Sequence, residues 1–583
     1  MTRGGQRFWV PVVALLLALP HLALSLCVTD FGADGGYYSD IAENVRDGLG
    51  LQTDVSIFHQ GFPHFPFPTP VYPIWPLVYG LFAHLGPISV VGVWLPTTLF
   101  FVILGLAFAV GRRLAPRLGL ERWMGPAGLG LHGGHAFLLV TALTSELSSA
   151  TARPYTEGLA YTLVFALFLR APALWLRLGP LAGLEFGAWL MALFLTRSQL
   201  VVVALGALVA APLALWARPR SAIPFVAMAL LIIAGVWTIY IGWVGTFLPD
   251  PTLTTYIRFD LARVPSGLSA IPIMVETGST WDHLVDLAGG FPLAFALYDT
   301  STSYFHLHHA FIHALPIAVG VLAWRWRKLP LLLRFARTRA APNALFFTVS
   351  AIGLLLSLHT VHKVYGSTWV FGSRHAIPSL FLVGTSVLFL LRARSPGLLG
   401  LKVVGFGLLL VGAYDGWRAL ALEANDQCLN AQKSPALTSY RSQLRSFFES
   451  ERARLGSLTV AVERPEAQRL AWRTPGVGFH WLSDTTTVGD LALMVHDLGV
   501  AYIVDFDDIH YATFADDPTF ALRFAPVITF AESSAGEDDD AEVSAKPKLT
   551  RVYAPRCAAF VPRPATCIAL PAPPQKVLPS VGP

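Results

Sequence analysis

Apolar runs long enough to cross a bilayer recur along most of this chain, and Arg and Lys gather in every second segment between them. A helix needs roughly 20 apolar residues to span the hydrocarbon core. Runs of that kind lie near residues 8–28, 92–110, 124–141, 158–175, 181–195, 201–216, 225–247, 311–323, 344–358, 377–391 and 398–411. The pattern predicts a polytopic α-helical membrane protein with about 11 spans. Composition agrees: only 14% of residues are charged, against roughly 25% in a soluble domain. The net charge of +5 is spread between apolar runs rather than massed on one domain, so no nucleic-acid partner is expected.

Short cytoplasmic loops carry an excess of Arg and Lys. Here the basic groups are Arg3/Arg7, Arg112/Arg113/Arg117, Arg170/Arg177, Arg218/Arg220, Arg325/Arg327/Lys328 with Arg334/Arg337/Arg339, and Arg392/Arg394. The alternation puts the N-terminus in the cytoplasm of a plasma (inner) membrane protein. An odd span count then leaves the region after about Tyr414 outside, together with loops 29–90, 145–155, 249–306 and 360–374. The apolar N-terminal run resembles a secretory signal but lacks an A-x-A cleavage site, and is read as an uncleaved first span. Within the first outer loop, 71–85 is apolar but ringed by Pro63, Pro66, Pro68, Pro70, Pro73 and Pro76, which predicts an interfacial helix rather than a span.

Residues 1–420 thus form the membrane domain. Residues 421–583 are richer in Asp, Glu, Arg and other polar residues, and predict a soluble extracytoplasmic α/β domain ending in a proline-rich tail. Strands are expected at 458–462, 500–504, 527–530 and 549–553, with a helix over 488–498 and a solvated acidic loop at 537–540. Of the four cysteines, Cys27, Cys428, Cys557 and Cys567, none forms a C-x-x-C pair, so neither a zinc knuckle nor a redox motif is indicated. A disulfide between Cys557 and Cys567, or of either with Cys428, suits an oxidising outer compartment, and the sequence leaves the pairing open.

The most informative polar segment follows the first span: Asp34-Gly35-Gly36-Tyr37-Tyr38-Ser39-Asp40-Ile41-Ala42-Glu43-Asn44, then Gly48-Leu49-Gly50. It reads as a loop entering a short helix with Asp34 at the membrane surface, where a carboxylate also serves as a helix cap. An acid, a tyrosine such as Tyr38 three or four positions on, Asn44, a Gly-x-Gly, and after a gap Pro70-Val71-Tyr72-Pro73 together resemble the first outer loop of GT-C glycosyltransferases, including the protein mannosyltransferase and aminoarabinose transferase relatives. The likeness continues in Arg153-Pro154-Tyr155-Thr156-Glu157, in Leu195-Thr196-Arg197, in Arg374-His375-Ala376-Ile377-Pro378, and in Arg464-Pro465 with Leu498-Gly499-Val500-Ala501-Tyr502-Ile503-Val504 of the soluble domain.

The resemblance implies a GT-C fold and an inverting transfer of a sugar from a polyprenyl-phosphate donor to an extracytoplasmic lipid, glycan or protein acceptor, with an outer-loop carboxylate, Asp34, as general base. A base at the interface stays ionised because water reaches it. The departing lipid phosphate needs cationic donors: Arg374 leads, followed by Arg197, Lys363 and His375, with Tyr38, His59 and His64 as further substrate contacts. Glu157 matches the family's second acidic position, and orients Asp34, binds the acceptor, or caps its helix; Glu146 is an alternative at that face. Arg197 stands between two apolar runs, either as a functional cation or snorkelling to the interface. His309 and His313 are spaced i, i+4 near His306 and His308, but no carboxylate completes a metal motif, so interfacial packing is expected of them, and the sequence leaves any divalent-metal dependence open. Asp34 is followed by Gly35 rather than a second acid, and Thr69 replaces the lysine that aminoarabinose transferases place before the corresponding proline. A transporter or flippase of lipid-linked saccharides would show internal repeats or polar residues through several spans, and a polysaccharide ligase would place its chemistry in a long late loop.

Overall fold

The structure, a computed structural model, describes residues 9–28, 31–56, 66–68, 72–117, 133–142, 144–197, 200, 202–247, 440–482, 486–506, 518–532 and 548–556, with short helical pieces within 342–350 and 417–429. Two compact units form, each from separate stretches. The first comprises Met1–Val28, Pro70–Val78 and Ser89–Leu429, the second Thr29–Thr69, Tyr79–Ile88 and Asn430–Pro583.

The described part of the first unit is helical. The run expected as one span over 8–28 is divided into α1 (Trp9–Leu17) and α2 (Leu19–Cys27). Pro20 in the first turn of α2 has no N–H to carry the hydrogen-bond ladder through. The proline-ringed stretch forms α4 (Ile74–Ala83), whose 10 residues are too few to cross a bilayer; the 15-residue α3 (Gly32–Arg46) precedes it in the chain. Then follow α5 (Ile88–Arg117), α6 (Gly133–Ala142), α7 (Ser145–Thr151), α8 (Glu157–Arg177), α9 (Pro180–Thr196), α10 (Val202–Ala217) and α11 (Pro219–Phe247). Three of these are long and apolar enough to cross a membrane, through Ile88–Arg113, Glu157–Arg177 and Pro219–Tyr240. The spans expected over 311–323, 377–391 and 398–411, and most of 344–358, lie outside the described residues.

Small residues let α9 lie against α11. Gly183 and Gly187 form a Gly-x-x-x-Gly pair, and a Cβ on Gly183 would stand 2.1 Å from the Phe225 carbonyl oxygen. Such small-x-x-x-small faces allow apolar helices to approach closely where no hydrophobic effect drives them together. Below this seam Trp175, Phe186 and Phe225 pack with ring centroids 5.1–5.6 Å apart, and Phe346 closes the cluster.

Basic residues collect toward the C-terminal end of α8. Arg218 donates to the carbonyls of Trp175 and Leu176, satisfying groups that the helix end leaves without partners. Arg113 donates to the Leu169 carbonyl, and Arg170 pairs with Glu185 at 2.5 Å. The 21 residues of α8 separate its two ends by about 30 Å, so Glu157 stands far from this basic end.

A disulfide joins Cys27 to Cys428 across a sequence separation of 401. The sequence had offered Cys428 only Cys557 or Cys567 as partners, and both of these lie outside the described residues. Cys27 ends an apolar helix, and only the path of the folded chain gives it a partner. Each bridged cysteine stands one residue before the last residue of a first-unit stretch, Val28 or Leu429.

The second unit is α/β. Its elements are α3, β1 (Gln52–Thr53), β2 (Val55–Ser56), β3 (Phe67–Pro68), α12 (Tyr440–Leu455), β4 (Leu458–Glu463), α13 (Arg464–Ala471), β5 (Val477–Leu482), α14 (Val488–Leu498), β6 (Tyr502–Phe506), α15 (Pro518–Arg523), β7 (Phe524–Glu532) and β8 (Lys548–Pro555), with the second half of α4. Six strands form one sheet in the order β2-β5-β4-β6-β8-β7, parallel from β2 to β6 and antiparallel beyond. The helix expected over 488–498 is α14, held by a capping box in which Thr487 and Asp490 satisfy each other's backbone N–H groups. The strand expected over 500–504 starts two residues later, at Tyr502. Strand β5 was not expected, since Gly478 and His480 interrupt its apolar residues.

Strand β2 comes from the segment between the first two apolar runs. Val55 and Ser56 pair parallel with Phe479 and His480, adding loop residues to the sheet edge. Met494, Leu491, Val495, Ile503, Phe520 and Phe524 fill the core on one side.

Candidate functional site

In the first unit the structure brings together two residues that the sequence had singled out separately. Glu157 is the first residue of α8 and Arg197 the C-cap of α9. Arg197 Nη1 lies 2.5 Å from Glu157 Oε1, and the Glu157 side chain is only 1% exposed. The same Nη1 donates to the Thr156 hydroxyl at 3.1 Å. Arg197 therefore meets a carboxylate at the end of its helix. Glu157 stands in the first turn of α8, where the helix dipole favours an anion.

The segment before Glu157 is pinned at two points. Trp75 Nε1 donates to the Pro154 carbonyl at 2.9 Å, and Arg153 pairs with Glu423 at 2.8 Å. Ser149 also donates to Glu423. Neither Trp75 nor Glu423 was legible as a site residue, because Arg153 and Glu423 stand 270 positions apart and no local pattern marks either one.

In the second unit, Asp34 and Tyr38 both lie on α3. The helix is longer than the expected loop entry and starts at Gly32, whose φ of +70° is left-handed and suits glycine. Asp34 sits partly exposed in the first turn, and its neighbours Gly35, Gly36 and Tyr37 are buried. Asp34 is thus a partly exposed carboxylate at the start of a helix that is buried along most of its length.

Below it lies a set of acids that sequence reasoning passed over. Asp40, 3% exposed, accepts from the Thr53 hydroxyl at 2.6 Å and the Asp54 backbone N–H at 2.9 Å. Asp54, 4% exposed, accepts from the Gly476 N–H at 3.2 Å, while its carbonyl accepts from the Phe479 N–H at 2.7 Å. Its Oδ1 is buried and has no hydrogen-bond partner among the described residues. Burial, reinforced by the charge of Asp54, pushes Asp40 well above the usual carboxylate range. Burial likewise raises Asp54 to about 6, against the opposing pull of the Gly476 N–H and Arg452. Glu43 is also raised by burial, with Arg46 working against the shift. These groups tie α3 to the loop strands and the loop strands to β5, which is a structural task.

Lys363, Arg374, His375, His59 and His64 lie outside the described residues, as do His306, His308, His309 and His313. Glu146 falls within α7. Among the described residues no group of three or more His, Cys, Asp or Glu is placed to hold a metal ion. Comparison of the chain with models of known protein families and with curated proteins found no match to either.

Proposed function

We propose that this chain is a membrane glycosyltransferase of the GT-C type, with about 11 spans, a cytoplasmic N-terminus and an extracytoplasmic C-terminal domain. It moves a sugar from a polyprenyl-phosphate donor to an extracytoplasmic lipid, glycan or protein acceptor with inversion at the anomeric carbon. The observation that carries the reading is the Glu157–Arg197 pair, because it joins two separately recognised motifs of the GT-C resemblance into one buried ionic group.

In this mechanism Asp34 takes the proton of the acceptor hydroxyl as its oxygen bonds to the anomeric carbon. The bond from that carbon to the phosphate oxygen breaks, and the polyprenyl phosphate leaves with the electron pair. Negative charge grows on the departing phosphate, where fixed cationic donors stabilise the transition state more than the ground state. Arg374 is assigned that task, with Lys363 and His375, while Glu157 holds the Arg197 guanidinium in one orientation.

The test is transfer of radiolabelled sugar from a panel of polyprenyl-phosphate sugars to native membrane extract, comparing wild type with Asp34→Asn. Loss of a general base lowers the rate by about 10²–10⁴. Equal transfer by both proteins removes Asp34 as the base, and absence of transfer by the wild type overturns the reaction class in favour of a transporter or an inactive fold.

A further inference from the structure

The helix that carries Asp34 is built on the C-terminal domain. Gly36, two residues after Asp34, touches α13 so closely that a Cβ there would lie 2.2 Å from the Gln468 carbonyl oxygen. Phe31, three residues before Asp34 and only 2% exposed, stacks on Trp472 with ring centroids 4.8 Å apart and planes inclined by 17°. Asp34 is thus bracketed along the chain by two contacts to one short segment, residues 468–472. Other sides of α3 are held as well: Gly80 of α4 abuts Ala42 and Val45, and Ser39 bonds the Tyr79 hydroxyl at 3.1 Å.

From this we infer that Trp472 and Gln468 are positioning residues for Asp34, so the C-terminal domain is a working part of the catalytic apparatus. The inference rests on the glycosyltransferase reading for its kinetic consequence and on the packing for its structural one. Trp472 acts through Phe31 and the helix start. Gln468 acts through its backbone, which sets how near α3 can approach and is insensitive to its own side chain. A displacement of the base by even an ångström is enough to cost about 10²-fold in rate.

The experiment uses the full chain in lipid nanodiscs and compares wild type, Trp472→Ala, Trp472→Phe, Gly36→Ala and Leu491→Ala. Leu491 is buried in the core of the C-terminal domain, on α14, so its truncation reports loss of domain stability alone. Hydrogen exchange is read on peptides covering 32–46, with peptides of β7 and β8 as reference. Positioning predicts that Trp472→Ala and Gly36→Ala speed exchange of 32–46 by about tenfold while the reference is unchanged. They also lower kcat by about tenfold or more with KM for donor and acceptor within about twofold. Trp472→Phe, which keeps a ring to stack on Phe31, restores both readouts, and Leu491→Ala lowers thermal stability without the selective kcat loss. Unchanged exchange of 32–46, a kcat loss equal in Leu491→Ala, or a change confined to KM overturns the inference. If the wild type transfers no sugar the reaction reading falls by itself, and the exchange measurement still decides whether Trp472 holds α3.

Discussion

Arg197 and Glu157 form a buried ion pair at 2.5 Å, linking the end of one apolar helix to the start of the preceding one. Removing one partner of such a pair leaves an uncompensated buried charge and costs about 3–5 kcal/mol, whereas replacing both is far milder. Arg197→Met is therefore expected to lower the unfolding temperature in detergent markedly, and Glu157→Gln combined with Arg197→Met to recover most of the loss. A double variant as unstable as Arg197→Met alone would show that the pair is not the source of the effect.

The Cys27–Cys428 bridge requires an oxidising compartment. Non-reducing electrophoresis after maleimide treatment should show both thiols blocked in protein made in the cell envelope and free after reduction. Cys27→Ser should destabilise the fold by about 2–5 kcal/mol. Ready alkylation of Cys27 and Cys428 without reductant would contradict the bridge and weaken the proposed extracytoplasmic placement of these two residues.

Two buried groups in the second unit oppose each other in their response to pH. Asp54, raised to about 6 by burial, binds its proton more tightly folded than unfolded. Its contribution is fully present below the unfolded carboxylate value and is lost as pH rises through about 6, by about 3 kcal/mol. His480, lowered to about 4 by burial, does the reverse, and its stabilisation is present above the unfolded imidazole value and lost as pH falls toward 4. Asp40 and Glu43, also raised by burial, act in the same sense as Asp54, so the wild-type profile sums three acids against one imidazole. Relative to wild type, Asp54→Asn should make stability fall less or rise more between about pH 4 and 6, and His480→Gln should make it fall more steeply over the same range. Denaturant titrations at stepped pH distinguish these slopes, and parallel profiles in all three proteins would refute the assignment.

At the α9–α11 seam, Gly183→Ala forces a methyl group toward the Phe225 backbone. Overpacking of this kind costs about 1–3 kcal/mol. Thermal melts in detergent should place Gly183→Ala below Gly105→Ala, since a Cβ on Gly105 meets nothing within 4 Å. Equal melting temperatures would mean that the seam yields without strain.

Local patterns carried a good part of this reading. The helix over 488–498 was legible because its apolar spacing, the Thr487/Asp490 capping box and the following Gly499 are all short-range signals. The apolar runs at α5, α8 and α11 were equally plain, since span length and hydropathy are properties of contiguous residues. Asp34 and Glu157 stood out by motif, and Arg197 by its charge between two apolar runs.

What the sequence determined by itself was therefore composition, the helical periods and the residue types at suspect positions. The tertiary structure decided which of them meet: Arg153 with Glu423 across 270 positions, Cys27 with Cys428 across 401, and the Gly476 amide with Asp54 across 422. It also decided that two residues from between the first two apolar runs, Val55 and Ser56, complete a sheet edge made otherwise from the C-terminal region. The reason is physical. Helical period, capping and hydropathy act between residues a few positions apart, whereas ion pairs, bridges and strand pairing depend on where the whole chain places distant groups, and no local spacing encodes that.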